Sequence, residues 1–350
     1  MGKRIAIVGA GAVGGYIGSF LAHGGHDVTL VDPWPEHVEA IRANGMELFG
    51  MSDAERLTVK VPAIHLTEVQ SFAKQKPIDI AFVSVKSYDT EWATTMIAQY
   101  LSADGYIVSA QNCINEPKVA SIVGWGRTVG CVVGGGIAVE LFQPGHIRRS
   151  MAKTRVHPAL RVGEVHGRIT RRVEELGELL DSVDATEVTS NLWGERWSKL
   201  CVNGMRNGVS AATGLGGNER DRHDALRRFC IKLGGESVRV GQALGYDFDH
   251  VANLDAERLA QAGEGNKAAL EEIEAVMLAG TNATARSELQ RPSMAQDMAK
   301  GRRTEIEQMN GFIAQQALAC GITAPSHAKL TEIVKRVERG VVPAAPQNLL

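Results

Sequence analysis

The strongest constraint on the chain is a glycine-rich turn set between a strand pattern and a helix pattern near its start. Arg4 to Val8 is a β-rich run. Gly9-Ala10-Gly11-Ala12-Val13-Gly14 follows it directly, Val13 to His23 is helical in periodicity, and Asp27 to Asp32 reads as a second strand. That order is a βαβ unit, the context in which G-x-G-x-x-G becomes a strong signal for a dinucleotide. Gly9 allows the tight turn, Gly11 lets the backbone approach a pyrophosphate, and Gly14 lets helix and strand pack closely. The whole turn, Ala10, Ala12 and Val13 included, brings the helix N-terminal N–H groups to the phosphates. Asp32 ends the second strand 18 residues past Gly14. A carboxylate there accepts hydrogen bonds from the adenosine ribose diol and repels a 2′-phosphate, which favours NAD without excluding NADP. An Asp followed by Pro33 is also a residue that caps a strand end or the helix after it.

The alternation continues with a helix about Pro35 to Ala43, a strand at Ile78 to Lys86, a helix at Asp89 to Leu101, and strands at Tyr106 to Gln111 and Thr128 to Val133. This predicts an α/β fold with a Rossmann-type doubly wound sheet. The short apolar pieces from Val139 to Val165, broken by Pro144-Gly145 and Pro158, suit an antiparallel extension of that sheet. After about Asn191 helical patterns dominate: Trp193 to Ala212, Asp221 to Leu244, Asn266 to Leu278, Met294 to Ala319 and Ser326 to Arg339. The expected division is a dinucleotide-binding domain over 1–190, an all-helical C-terminal domain over 191–340 that takes substrate, and a loose tail over 341–350.

With 38 Lys+Arg against 40 Asp+Glu, the net charge of −2 gives no basic footprint for nucleic acid or anionic lipid. Lys3 and Arg4 before Ile5 to Val8 mimic the start of a signal peptide, but glycines interrupt the run. No apolar stretch approaches the roughly 18 residues of a membrane span. Five scattered cysteines without a C-x-x-C pair argue against a disulfide framework and a metal site, so a reducing, cytoplasmic setting is expected.

Lys199, Asn203 and Asn207 in WSKLCVNGMRN are spaced by four on a predicted helix, so they share one face that drifts only about 40° per step. A lysine can deliver a proton to a carbonyl oxygen as it becomes an alkoxide, and amides can hold substrate oxygens without competing for that proton. A solvated helix face would carry the same residue types.

GAGAVGGYIG, SVKSYDT, QNCINE, WSKLCVNGMRN and SMAQDMAKGRRTEIEQMNG together resemble the ketopantoate reductase family along nearly the whole chain. The resemblance implies that Lys199 is a general acid, that Glu305 is a carboxylate positioning the reacting oxygen, and that Ser293 contacts the substrate carboxylate. It also implies that Asn203 and Asn207 are substrate-binding amides, that Asn112 bridges cofactor ribose and reaction centre, and that Lys86 lies near the cofactor. A homodimer through the helical domain is implied in the same way. On physical grounds Glu305 is then expected to keep Lys199 protonated despite desolvation.

Three departures bear on specificity. Asp32 stands where NADP-using members carry a basic or small polar residue, Cys113 replaces the Gly of QNG, and the stretch from Asp247 to Arg291 is longer than the family pattern leads one to expect. The expected activity is therefore hydride transfer between NAD(P)H and a 2-oxo acid or 2-hydroxy acid. The alternatives are a catabolic NAD-dependent dehydrogenase of a branched or aromatic D-2-hydroxy acid or other secondary alcohol, and a dinucleotide sensor without turnover.

Overall fold

Every residue of β1 (Arg4–Val8) is buried, as a strand covered on both faces must be. In the computed structural model, which describes residues 2–248, 250–281 and 291–350, the chain divides into two compact units, Met1–Leu192 and Trp193–Leu350.

In the first unit, β1 is followed by α1 (Ala12–His23), β2 (Asp27–Asp32), α2 (Pro35–Asn44), β3 (Met46–Phe49), β4 (Leu57–Val59), β5 (Ala63–His65) and β6 (Ile78–Val83). Then come α3 (Thr90–Ala98), β7 (Leu101–Ser109), α4 (Glu116–Val123), β8 (Thr128–Val133), β9 (Val139–Gln143), β10 (His146–Arg149), β11 (Leu160–Glu164), α5 (Arg171–Asp181) and β12 (Thr186–Val188). Eight strands form one sheet in the order β12-β11-β8-β7-β6-β1-β2-β5. All its neighbours are parallel except β11 against β8. The order reverses beside β1, and the crevice at the carboxyl ends of the strands on either side of that reversal is where such sheets bind ligands.

The expected extension over Val139 to Val165 is correct for β11 and wrong for the hairpin before it. β9 and β10 join β3 and β4 in a separate four-stranded sheet, with β10 parallel to β3. The strands of that sheet are three to five residues long, too short for a period-2 pattern, and the parallel pair joins segments about a hundred residues apart. Isoleucine and leucine on the buried faces of both sheets join one core: Ile5, Ile7 and Leu30 from the large sheet, Leu48 and Ile147 from the small one.

The second unit is built from α6 (Leu192–Thr213), whose first residue closes the first unit, α7 (Gly217–Arg222), α8 (Asp224–Ala243), α9 (Ala256–Gly263), α10 (Lys267–Ala279), α11 (Ser293–Ala299), α12 (Phe312–Ala319) and α13 (Pro325–Glu338). One two-residue pair of strands, His250–Val251 against Leu254–Asp255, departs from an all-helical unit. Of the long stretch from Asp247 to Arg291, the described part forms this pair, α9 and α10, while residues 249 and 282–290 lie outside the described residues.

The single helix expected from Met294 to Ala319 is broken. Gly301 takes a left-handed φ of 61° and the Arg302 N–H donates to the Asp297 carbonyl at 2.9 Å, a glycine stop that ends α11. The chain resumes as a π turn, Glu307–Gly311, that runs into α12. The tail over 341–350 is tied down rather than loose: the Ala345 N–H and Asn348 Nδ2 both donate to the Ala212 carbonyl, at 3.1 and 2.9 Å. They thereby satisfy an orphan acceptor at the end of α6.

Candidate functional site

The three glycines of the first turn have three different surroundings. Gly9 has φ 93°, and a Cβ there would lie 2.8 Å from the Val85 nitrogen, so only glycine fits. At Gly14 a Cβ would fall 2.1 Å from the Gly9 carbonyl oxygen and 2.2 Å from Ser84 Oγ, so α1 lies directly on the turn and on the end of β6. At Gly11, the N-cap of α1, an added Cβ would meet nothing within 4 Å, and neither a side-chain cap nor an acidic first-turn residue occupies the helix N-terminus. An open backbone with N–H donors at the positive end of a helix fits a pyrophosphate. Ala10, Ala12 and Val13 lie within this turn, and the Ala10 carbonyl is fixed from outside it.

That fixing is by His37, which the sequence did not single out. Its ring is fully buried, Nε2 donates to the Ala10 carbonyl at 2.9 Å, and Nδ1 accepts from the Gly145 N–H at 2.9 Å. Since a backbone N–H can only donate, the ring is the neutral Nε2–H tautomer. Trp34 stacks on it with ring centroids 5.6 Å apart. Asp32 is buried at the end of β2, and its Oδ1 accepts from the Trp34 N–H at 3.0 Å. It therefore holds the local turn at the end of β2.

Lys86 and Asn112 are half-buried in the two loops that leave β6 and β7. A buried amide and hydroxyl network joins these loops. Asn115 Nδ2 donates to the Asn112 carbonyl at 2.8 Å and to Ser87 Oγ at 3.1 Å. Gln111 Nε2 donates to the Val85 carbonyl at 2.8 Å and to Thr90 Oγ1 at 2.9 Å. Cys113 sits at φ 64°, the left-handed region natural to the glycine it replaces, with its side chain buried.

In the second unit Lys199, Asn203 and Asn207 lie within α6 as the spacing predicts. Asn207 Nδ2 donates to Ser293 Oγ at 3.3 Å, which joins two of the substrate candidates across 86 residues. Ser293 is the first residue of α11, whose N-cap is Pro292, so its hydroxyl serves Asn207 and not the helix end. Lys199 keeps part of its surface open. Its ammonium nonetheless lies among protein atoms, where burial, and after it the Arg206 guanidinium, pushes it down to about 8.

Burial and the Arg206 guanidinium are the causes of that shift, and the expected upward pull of Glu305 is not among them; Glu305 itself is buried just ahead of the π turn. The break at Gly301 sets Glu305 on a separate segment from Ser293, so no continuous helix face carries both. No group of three or more His, Cys, Asp or Glu suited to a metal occurs among the described residues. No helix among them is long and apolar enough to cross a membrane.

The family model described as "Ketopantoate reductase PanE/ApbA" matches residues 5–159, and "Ketopantoate reductase PanE/ApbA C terminal" matches residues 191–338. The chain is 28% identical to the 2-dehydropantoate 2-reductase of Pyrococcus horikoshii, over 96% of this chain and 97% of that one. It is similar to the crystal structure of a PanE/ApbA family ketopantoate reductase from Ralstonia eutropha, with TM-score 0.76, 27% identity and coverage of 97% and 99% of the two chains. A ternary structure of D-mandelate dehydrogenase with NADH and anilino(oxo)acetate shares the fold at TM-score 0.78 and 22% identity, over 97% and 99% of the chains. Matched in both halves and along its full length, the chain belongs to the ketopantoate reductase family, oxidoreductases that act on a CH–OH group with NAD(P)H.

Proposed function

We propose that the protein reduces the carbonyl of a 2-oxo acid with NADH, taking the cofactor on the first unit and the substrate on the second, with Lys199 as general acid. The observation that carries this reading is the face of α6, where an enclosed ammonium, pushed down to about 8, shares one side with two amides, one of them bonded to Ser293. The nicotinamide cofactor supplies the hydride. An ammonium so tuned is protonated at neutral pH and close enough to release that its proton can pass to the carbonyl oxygen as charge develops there.

Asn203 and Asn207 hold substrate oxygens, and Ser293, oriented by Asn207, meets the substrate carboxylate. Glu305 accepts a hydrogen bond from a hydroxyl next to the reacting oxygen, a positioning role that does not require it to touch Lys199. In the first unit the glycine turn receives the pyrophosphate, Asp32 at the end of β2 the ribose diol, and Lys86 and Asn112 the nicotinamide end, with hydrogen bonds to the Ala10, Val85 and Asn112 carbonyls holding the turn and the two loops. The NADH preference rests on Asp32. The family kinship supports a homodimer through the helical unit, and the scattered cysteines, with no C-x-x-C pair, suit a reducing compartment. A second reading, oxidation of a branched or aromatic D-2-hydroxy acid by NAD, uses the same residues in reverse and is favoured by the same Asp32.

Oxidation of NADH and NADPH, followed with ketopantoate beside a panel of branched and aromatic 2-oxo acids, tests this. Turnover of ketopantoate makes it a pantoate-forming enzyme. Turnover of another 2-oxo acid with ketopantoate inert makes it a specialised dehydrogenase. No turnover with any 2-oxo acid contradicts the proposal.

A further inference from the structure

His327, on α13, is fully buried, and Asn310, in the π turn, is buried beside it. Asn310 Nδ2 donates to the Gly204 carbonyl at 2.8 Å and to His327 Nδ1 at 3.0 Å, which uses both of its hydrogens. Nδ1 is then an acceptor, and the single Nε2–H is shared between the Leu233 carbonyl and Ser237 Oγ, each 2.9 Å away on α8. Burial pushes the ring down to about 4, so it is neutral at physiological pH. Asn310 Oδ1 is buried with no partner among the described residues. A leucine of similar volume would fill the space without leaving a bare acceptor, so it is the two donors that account for an amide here.

The segment held in this way begins at Glu305, whose carbonyl accepts from the Met309 N–H at 3.0 Å. Just before it, Thr304 donates from its N–H to Glu338 Oε1 at 2.8 Å and from its hydroxyl to Oε2 at 3.2 Å, on α13. On α6, a Cβ at Gly208 would lie 3.0 Å from Ile306 Cδ1, and one at Gly204 would lie 2.9 Å from Ile313 Cδ1 and 3.3 Å from His327 Cε1. Ile306 thus meets α6 at Gly208 and Asn310 meets it at Gly204, one turn apart on each side, and Gly204 directly follows Asn203. The apolar contact has no preferred direction, whereas the amide bonds do, so Asn310 is the member of the pair that fixes register.

We propose that Asn310 is a positioning residue for catalysis: by tying the segment that starts at Glu305 to the α6 backbone between Asn203 and Asn207, it holds that residue in register with the substrate amides.

This rests on the reading of Glu305 as the carboxylate that positions the reacting oxygen, and the test separates the two. Asn310→Ala, and Asn310→Ser, which keeps one donor, are made in the full chain, checked for a native melting transition, and compared with Glu305→Gln and with Asn310→Ala and Glu305→Gln combined. Amide exchange read by mass spectrometry over 303–312 should quicken at least about fivefold in Asn310→Ala, as expected for the loss of one net hydrogen bond, and less in Asn310→Ser. Turnover of the accepted 2-oxo acid should fall roughly ten- to a hundredfold in Asn310→Ala, with the dissociation constant for NADH unchanged. If the amide acts through Glu305, adding Asn310→Ala to Glu305→Gln lowers kcat little further, whereas a merely structural residue gives losses that multiply. Unchanged exchange, an unchanged kcat in Asn310→Ala, or multiplying losses overturns the inference. If Glu305→Gln alone leaves kcat at the parent's, the reading of Glu305 fails, and the exchange result by itself decides whether Asn310 ties the segment to α6.

Discussion

At Gly11 an added methyl would meet nothing within 4 Å, whereas at Lys199 the ammonium is so enclosed that burial is the largest influence on its proton. On the proposed reading, the first unit builds its half of the chemistry from backbone and from the absence of side chains, and the second from side chains held where water is scarce. A backbone site tolerates little change in shape and has no ionisable side chain at its turn, while a side-chain site keeps its fold when a functional group is removed and loses its chemistry instead. Substitutions in each half should therefore fail in different ways.

The largest contrast lies within the glycine turn itself. Gly14→Ala should destabilise by about 3 kcal/mol or more, because the clash at 2.1 Å is with the Gly9 backbone carbonyl, which has nowhere to move. Gly11→Ala should melt like the parent and bind NADH at least about tenfold more weakly, since its methyl stands in open space that a pyrophosphate would fill. Thermal melts beside NADH titrations decide it. Equal melting of the two variants would contradict the packing account, and unchanged NADH affinity in Gly11→Ala would remove the phosphate from that turn.

Asp32→Ala should come next, with NADH affinity falling by about tenfold and NADPH affinity rising, read by titrating both cofactors. If the preference stays where it was, the carboxylate serves the local structure, where it accepts the Trp34 N–H, and not the ribose. The smallest effect is expected at Cys113. Its φ of 64° costs about 1–2 kcal/mol in a non-glycine residue. Cys113→Gly should recover a few tenths to about 1 kcal/mol of that after the entropy of a free glycine is subtracted, seen as a higher denaturant midpoint. Cys113→Ala, which keeps the strain, should not gain.

The legible parts of the molecule were those whose partners are close in sequence. The glycine turn and the α6 face follow from spacing within one element or one βαβ unit, and both stand where the spacing put them. His37 was invisible because its partners, Ala10 and Gly145, are 27 and 108 residues away and no local pattern marks it. The second sheet was invisible for the same reason, being made of short strands paired across distant segments. The interruption of the helix after Ser293 had a local signal, a lone glycine in a helical pattern, which the apolar periodicity around it outweighed. A pairing of Lys199 with Glu305 could not be judged from residue types, because it depends on where the chain resumes after that glycine.

The central claim, that binding and proton delivery are divided between the two units, is tested most directly by one variant and two readouts. Lys199→Ala should lower turnover by about 10²–10⁴-fold, the usual contribution of a positioned proton donor, while the dissociation constant for NADH stays within about twofold of the parent's. A turnover loss below tenfold, or a loss matched by weaker NADH binding, would contradict the account.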